Sequence, residues 1–470
     1  MITKQLIEPK SIVVVGGSDD IHKPGGTVLR NLQDGNFKGE LYVVNPKMDV
    51  VQGIKSYRDV KDLPEVDCAI LAIAAKFCPA AVEVLAKQKN TRAFIILSAG
   101  FHEENEEGAK LERQIVDTIN SVGGALIGPN CIGVLTNHYS GVFTSPIPEL
   151  NPQGVDLISG SGATALFIMD SGMQKGIKFN SMYSVGNSAQ LGVEEVLEYM
   201  DESFDPKTSS RVKLLYVESI DKPEKLLKHA SSLIRKGCRI AAVKSGGSAA
   251  GSRAASSHTG ALASSDVAVE ALFRKAGIVR CNGRDELMTV AGIFMHPEMK
   301  GKNMAVVTHA GGPAVMLTDA LSNGGMDVPH IEGEKAKELL SKLFGGSSVG
   351  NPIDFLATGT AEQLGLILDA CDRDFDNIDG MAVIFGSPGL FPVFDVYNVL
   401  DEKMKTSKKP IFPIFPSSKI VKDEIADFVS KGRVYFPDEV LFGNALCKIY
   451  KTPAPQPEHF DMPPSRVPAR

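Results

Sequence analysis

Gly154-Val-Asp-Leu-Ile-Ser-Gly-Ser-Gly-Ala-Thr-Ala165 reads as one complete βα unit. An apolar run ends in a glycine turn, and hydroxyl residues then open a helix. Asn303-Met-Ala-Val-Val-Thr-His-Ala-Gly-Gly-Pro-Ala314 repeats the layout. Further on, Gly186-Asn187-Ser188 has a counterpart in Gly350-Asn351-Pro352. The later candidate strands Val212–Val217 and Ile240–Val243 are matched by Met381–Phe385 and Pro410–Phe415. One unit used twice predicts two flavodoxin-like α/β domains, 150–295 and 300–452, with a polar boundary near Pro297–Lys302. Ahead of them, β-rich runs at Ser11–Val15, Leu41–Val44, Cys68–Ile73, Ala93–Leu97 and Ala125–Ile127 alternate with helical patterns such as Pro79–Lys89 and Glu106–Val122. That alternation predicts a Rossmann-like, doubly wound parallel sheet over 1–145. Six prolines follow Lys451, so 453–470 is expected to be an extended tail, free or tied to a partner.

Composition sets outer bounds. The chain has 470 residues, 43% apolar and 23% charged, with a net charge of -6. An acidic balance argues against nucleic-acid binding, which needs a basic excess. No run of about 18 apolar residues predicts a membrane span, and the start lacks a signal-peptide pattern. The seven cysteines are scattered, with no Cys-x-x-Cys. That fits a reduced, cytoplasmic protein without a metal site.

The first glycine turn is Val15-Gly16-Gly17-Ser18, followed by Lys23-Pro24-Gly25-Gly26. A glycine turn between strand and helix offers backbone N–H groups and a helix dipole to a phosphate. The second strand ends Asn45-Pro46-Lys47, where an NAD site would carry an acidic residue for the ribose. Lysine there favours an extra phosphate, as coenzyme A has; a tight turn with no ligand uses the same residues. Ser98-Ala-Gly100-Phe101 and Gly128-Pro-Asn130 follow later strands, at the edge where open parallel sheets bind ligands, although such residues are also ordinary turn formers. Ser159-Gly160-Ser161-Gly162 places free N–H groups and hydroxyls at a helix start, either an anion site or a plain N-cap.

His258 lies in Lys244-Ser-Gly-Gly-Ser-Ala-Ala-Gly-Ser-Arg-Ala-Ala-Ser-Ser-His258-Thr-Gly-Ala-Leu-Ala263. Small residues around one imidazole predict a mobile loop, 245–257, presenting a nucleophile that can carry a phosphoryl group; an idle surface histidine is the alternative. Glu218 ends the apolar run Leu214-Leu-Tyr-Val. It is the candidate to hold the second imidazole nitrogen, unless it is merely solvated or ion-paired.

Together these residues resemble the α subunit of nucleoside-diphosphate-forming acyl-CoA synthetases, a group similar to the succinyl-CoA synthetase α subunit. The resemblance rests on Gly16-Gly-Ser18, Val44-Asn-Pro-Lys47, Leu97-Ser-Ala-Gly-Phe101, Gly128-Pro-Asn130, Ser159-Gly-Ser-Gly162, Ser184-Val-Gly-Asn187, Glu218, Ser256-Ser-His258-Thr-Gly-Ala-Leu-Ala263 and Gly350-Asn-Pro-Ile-Asp354. It implies the reaction acyl-CoA + ADP + Pi ⇌ carboxylic acid + CoA + ATP, through an acyl phosphate and a phosphohistidine. His258 would be phosphorylated and Glu218 would orient it. Gly160, Ser161 and Gly162 would hold the phosphate. Gly16, Gly17, Ser18, Lys23, Lys47, Ile73, Gly100 and Asn130 would bind coenzyme A, with Gly186 and Asn187 near the acyl group. Relatives often read Lys-x-Gly-Arg-Ser where this chain has Lys244-Ser-Gly-Gly247-Ser, which removes one bidentate anion contact. Three α/β units leave no room for an ATP-grasp domain. ADP or ATP with Mg2+ is therefore expected on a separate ATP-grasp β subunit in an α2β2 complex. A CoA-binding scaffold and an acyl or carbamoyl transferase subunit without nucleotide chemistry are the alternatives.

Overall fold

The computed structural model describes residues 1–35, 37–259, 265–387, 389 and 392–456, with backbone only at 256–259. Three sheets succeed one another along the chain. The first contains β1 (Ser11–Val15), β2 (Glu40–Val44), β3 (Val50–Val51), β4 (Ile54–Tyr57), β5 (Cys68–Leu71), β6 (Ala93–Ile96) and β7 (Ala125–Ile127), in the order β3-β4-β2-β1-β5-β6-β7. All its pairings are parallel except β3 with β4. The central strands are apolar throughout because helices cover both faces; every residue of β1, β5, β6 and β7 is buried.

The second sheet holds β8 (Gly133–Leu135), β9 (Ser140–Val142), β10 (Leu150–Ser159), β11 (Phe179–Ser184), β12 (Val212–Val217), β13 (Arg239–Lys244) and β14 (Val279–Cys281), in the order β14-β13-β12-β10-β11-β8-β9. Here β8 and β9 form an antiparallel edge hairpin. The chain thus joins the second sheet at Gly133, ahead of the 150 start read from the strand pattern. Three-residue strands in the Gly/Asn-rich stretch 128–142 are too short for a periodic signal. The third sheet is smaller: β15 (Met304–Thr308), β16 (Ile353–Asp354), β17 (Gly380–Ile384) and β18 (Ile411–Ile414), all parallel, in the order β16-β15-β17-β18.

The first strand of each sheet's parallel run lies between strands reached by opposite crossovers. In the first sheet β1 separates β2 from β5, and in the second β10 separates β11 from β12. Such switch points open a crevice at the carboxyl ends, where ligands bind.

One expectation fails. Of the expected mobile loop 245–257, residues 249–257 lie in the helix Ala249–Thr259. Four of its first seven residues are alanine (Ala249, Ala250, Ala254 and Ala255), the best helix former. Small side chains here favour a helix rather than a loop. The start of the tail is tied down: the Gln456 N–H donates to the Lys275 carbonyl (3.0 Å), and Arg235 Nη2 donates to the Gln456 carbonyl (2.6 Å).

Candidate functional site

Loops at the carboxyl ends of strands from two sheets converge on one cavity of about 300 Å³. After β7, the Asn130 N–H donates to the Ser98 carbonyl (2.9 Å). Asn130 itself adopts φ +55°, a left-handed conformation that asparagine tolerates. After β11, Gly186 lies so close to this turn that a Cβ would sit 2.2 Å from the Pro129 carbonyl oxygen, and the Asn187 N–H donates to that same carbonyl (2.9 Å). After β10, Gly160 donates its N–H to Tyr216 (2.9 Å) across the switch crevice. Ser161 caps the helix Gly162–Gln174, its Oγ accepting from the Thr164 N–H (3.4 Å). Gly162 lets that helix start against Ile132, since a Cβ would fall 2.5 Å from the Ile132 Cγ2. After β12 comes Glu218, half-buried on the cavity wall. Its loop is held by the buried Glu194, which accepts from the Asp221 and Lys222 N–H groups (2.9 and 3.1 Å).

Of the residues predicted from sequence, Asn130, Gly160, Ser161, Gly162, Gly186, Asn187 and Glu218 therefore line one cavity. Gly16, Gly17, Ser18, Lys23, Lys47, Ile73 and Gly100 do not; they lie at the switch crevice of the first sheet or near it. Gly16 has φ +90°, and a Cβ would meet the Ala72 oxygen at 2.6 Å and the Ile73 Cγ2 at 2.8 Å. Only glycine lets β1 and β5 turns touch there. Gly25 and Gly26 are equally tight, and Pro24 takes the first position of the helix Pro24–Asp34, which suits a residue lacking N–H. Lys23 and Lys47 are exposed on this rim. Ser98 Oγ donates to the Ile73 carbonyl, and Gly100 (φ +105°) would place a Cβ 3.1 Å from that of Ala75. The glycine turn, the two lysines and the free helix start fit a pyrophosphate and a further phosphate. The stretch 97–102 links this crevice to the cavity, since both Leu97 and His102 line the latter.

The position of the His258 side chain lies outside the described residues. Its helix leaves β13 at the same carboxyl edge, after Lys244. Burial lowers the Lys244 ammonium below its ordinary range, with Asp266 opposing. A second cavity of about 510 Å³ adjoins this exit, lined by Thr164, Phe167, Tyr216 and 243–248 among others. The first turn of the helix Gly162–Gln174 borders both cavities, through Ala163 and Thr164.

Three polar residues of the site escaped the sequence reading: His102, Glu103 and Glu112. Asn187 Nδ2 donates to both carboxylates, to Glu112 at 3.1 Å, and Asn187 Oδ1 accepts from Asn130 Nδ2 (3.3 Å). Glu103 also accepts from the Gly100 and Phe101 N–H groups (2.7 and 3.2 Å). Burial raises its pKa, but these hydrogen bonds to the ionised form outweigh burial, and the net shift is downward. Glu103 belongs to an acidic run at a helix start, Glu103-Glu104-Asn105-Glu106-Glu107, that looks like ordinary dipole complementation, and Glu112 lies inside the helix Glu106–Ser121 with no motif around it. Cys131 also lines the cavity, but burial pushes its thiol up to about 12, which disqualifies it as a nucleophile. Among the described residues no cluster of three or more His, Cys, Asp or Glu could hold a metal, and no helix is long and apolar enough to cross a membrane.

The fold and this pair of crevices define a CoA-binding, succinyl-CoA-ligase-like protein. A CoA-binding domain model matches residues 10–137 and a succinyl-CoA ligase-like flavodoxin domain model matches 152–294. The α subunit of ADP-forming acetate–CoA ligase II from Pyrococcus furiosus is 32% identical over 413 residues, covering 87% of this chain and 88% of that subunit. The chain belongs to this family of ADP-forming CoA ligase α subunits. ADP-forming acetate–CoA ligase I of Archaeoglobus fulgidus is 35% identical across 80% of the chain, which spans 54% of that longer protein. The solved dinucleotide forming acetyl-coenzyme A synthetase 1 of Ca. Korarchaeum cryptofilum, in complex with phosphate and ADP, superposes with a TM-score of 0.85 at 25% identity, covering 95% of this chain and 96% of that one.

Proposed function

We propose that this chain is the α subunit of an ADP-forming acyl-CoA ligase, which interconverts acyl-CoA, phosphate and ADP with a carboxylic acid, CoA and ATP. The observation that carries this reading is the convergence of Ser161, Asn130, Asn187 and Glu218 on one cavity beside a CoA-like phosphate crevice. CoA would place its phosphates against Gly16, Gly17, Ser18, Lys23 and Lys47. Its pantetheine arm would follow Ile73 and Gly100 toward the cavity. Asn130, whose side chain holds Asn187, would act at the cavity end of that path. Phosphate would sit at the N–H groups of Gly160, Ser161 and Gly162, where a helix start favours an anion. It would attack the thioester to give an acyl phosphate, with the acyl group beside Gly186 and Asn187.

His258 would then take the phosphoryl group, oriented by Glu218, and release the acid. The phosphohistidine would pass its phosphoryl group to ADP, held with Mg2+ by an ATP-grasp β subunit in an α2β2 complex. Phosphoryl transfer of this kind relies on positioning and charge neutralisation, which preformed N–H groups supply without reorganisation. A cytoplasmic location suits such soluble substrates.

Incubation of the chain with its partner and γ-labelled ATP tests the proposal. Wild type should acquire acid-labile label and His258→Ala none, while Glu218→Gln should label at least ten-fold more slowly with CoA affinity kept. Label persisting on His258→Ala would refute the reading.

A further inference from the structure

We infer that His102, positioned by Glu112, is the proton carrier of the thiol half of the reaction, an inference that rests on the function proposed above. His102 follows Gly100 by two residues and lines the same cavity as Ser161 and Glu218. Its Nδ1 lies 2.7 Å from Glu112 Oε1. The other carboxylate oxygen of Glu112 accepts from Asn187. A carboxylate with donors on both oxygens acts as an acceptor, so Nδ1 carries the hydrogen. Nε2 is the nitrogen left for chemistry, and among the described residues it has no hydrogen-bond partner. A buried carboxylate fixing one imidazole nitrogen while the other faces a substrate pocket is the arrangement of a general acid–base dyad.

The same network shows why the role falls to His102. Asn187 uses both side-chain N–H bonds on Glu103 and Glu112, and its oxygen on Asn130. Asn187 is thereby a positioning residue, and of the network's members on the cavity wall, His102, Asn130 and Asn187, the imidazole is the one suited to take up and pass on a proton. CoA bound along Gly16, Ile73 and Gly100 brings its sulfur to this end.

The step balances without another reactant. An oxygen of hydrogen phosphate bonds the thioester carbonyl carbon. The carbon–sulfur bond breaks and its electron pair goes to sulfur. The phosphate proton passes to Nε2 of the neutral ring and from Nε2 to sulfur, giving acyl phosphate and CoA thiol. In reverse, Nε2 takes the thiol proton as sulfur attacks the acyl phosphate. His258 phosphorylation by ATP involves no thiol and should not need His102.

The test uses the reconstituted pair and whichever of acetyl-, propionyl-, isovaleryl- and phenylacetyl-CoA wild type turns over fastest. His102→Gln should label on His258 at the wild-type rate, while kcat for phosphate- and ADP-dependent CoA release falls about 100-fold or more with KM for the acyl-CoA changed less than three-fold. His102→Ala should regain at least ten-fold of the lost rate in added imidazole, which a merely structural role would not allow. Glu112→Gln should lower kcat less than His102→Gln. Unchanged kcat in His102→Gln, equal loss of labelling and turnover, or failure of imidazole to rescue would each overturn the assignment. Loss of labelling in wild type would instead overturn the proposed function itself.

Discussion

At the scale of single residues, Asn187 and Glu103 show how this site is built. The Asn187 side-chain amide is engaged by protein partners. It clamps Glu103 and Glu112 to the Asn130 turn and so joins the two sheets. Glu103 gains from the clamp as an ion: burial alone would raise its pKa, but donors from Asn187, Gly100 and Phe101 bring it below the usual carboxylate range. A group whose folded pKa is depressed stabilises the protein above its unfolded value of about 4.3, and that contribution disappears as pH falls through the folded value. Glu103→Ala should therefore cost about 1–2 kcal/mol at pH 7, the usual size for a partly exposed hydrogen-bonded charge. The gap between variant and wild type should narrow below about pH 4. Urea melts at neutral and acidic pH measure this; a gap that widens in acid would contradict the assignment of Glu103 as an ionised acceptor.

At the scale of elements, the helix Ala249–Thr259 raises the sharpest question. If His258 must travel between the Ser161 turn and a nucleotide on a partner, this helix has to unwind or move as a body. Its alanine content favours the helical form, and its approach through Gly246-Gly247, with Gly246 at φ +71°, has the backbone freedom that such movement would need. Ala254 is exposed within the helix, so Ala254→Gly should weaken it by about 1 kcal/mol with no lost packing. If unwinding limits the journey, phosphoryl handover in rapid-quench labelling should quicken about five-fold, the factor matching 1 kcal/mol. An unchanged rate would point to rigid-body motion.

Most elements were readable beforehand. β1, β5 and β17 are β-branched or otherwise apolar runs buried on both faces, and the glycine turns after β1 and β10 lie at true switch crevices. The histidine helix was not readable, because alanine and glycine look alike to an argument from size. Nor was the His102–Glu112–Asn187 cluster, since its members come from a loop, the helix Glu106–Ser121 and a turn of another sheet. Only the packing of the two sheets brings them together.

At the scale of the whole molecule, the three sheets do not stand apart. One core joins Ile12, Ile70 and Ile95 of the first sheet to Ile158 and Leu215 of the second. Another joins Leu157 and Leu214 of the second to Val306, Phe412 and Phe436 of the third region. The helix Arg284–Phe294 mediates the second junction, with Leu287, Met288, Ile293 and Phe294 all nearly inaccessible. Gly176 packs so closely on the third region that a Cβ would lie 2.2 Å from the Arg433 oxygen, and the Tyr435 N–H donates to the Lys175 carbonyl (3.2 Å). A chain cut after Pro297 would strip Val434 and Phe436 from the helix Arg284–Phe294, where a Cβ on Gly292 would lie 3.1 and 3.0 Å from them, at about 1.5–3 kcal/mol for each large apolar side chain uncovered. Two or three such losses, about 3–9 kcal/mol, are most of the stability of an ordinary domain. The fragment 1–297 should therefore aggregate or melt near room temperature, whereas the full chain should unfold in a single calorimetric transition. Two well-separated transitions in the full chain, or a fragment as stable as its parent, would show that the third sheet is an appendage. The fused cores also bear on catalysis. They hold the first-sheet crevice and the Ser161 turn in a constant relation, so that under the proposed function travel would fall to the segment carrying His258.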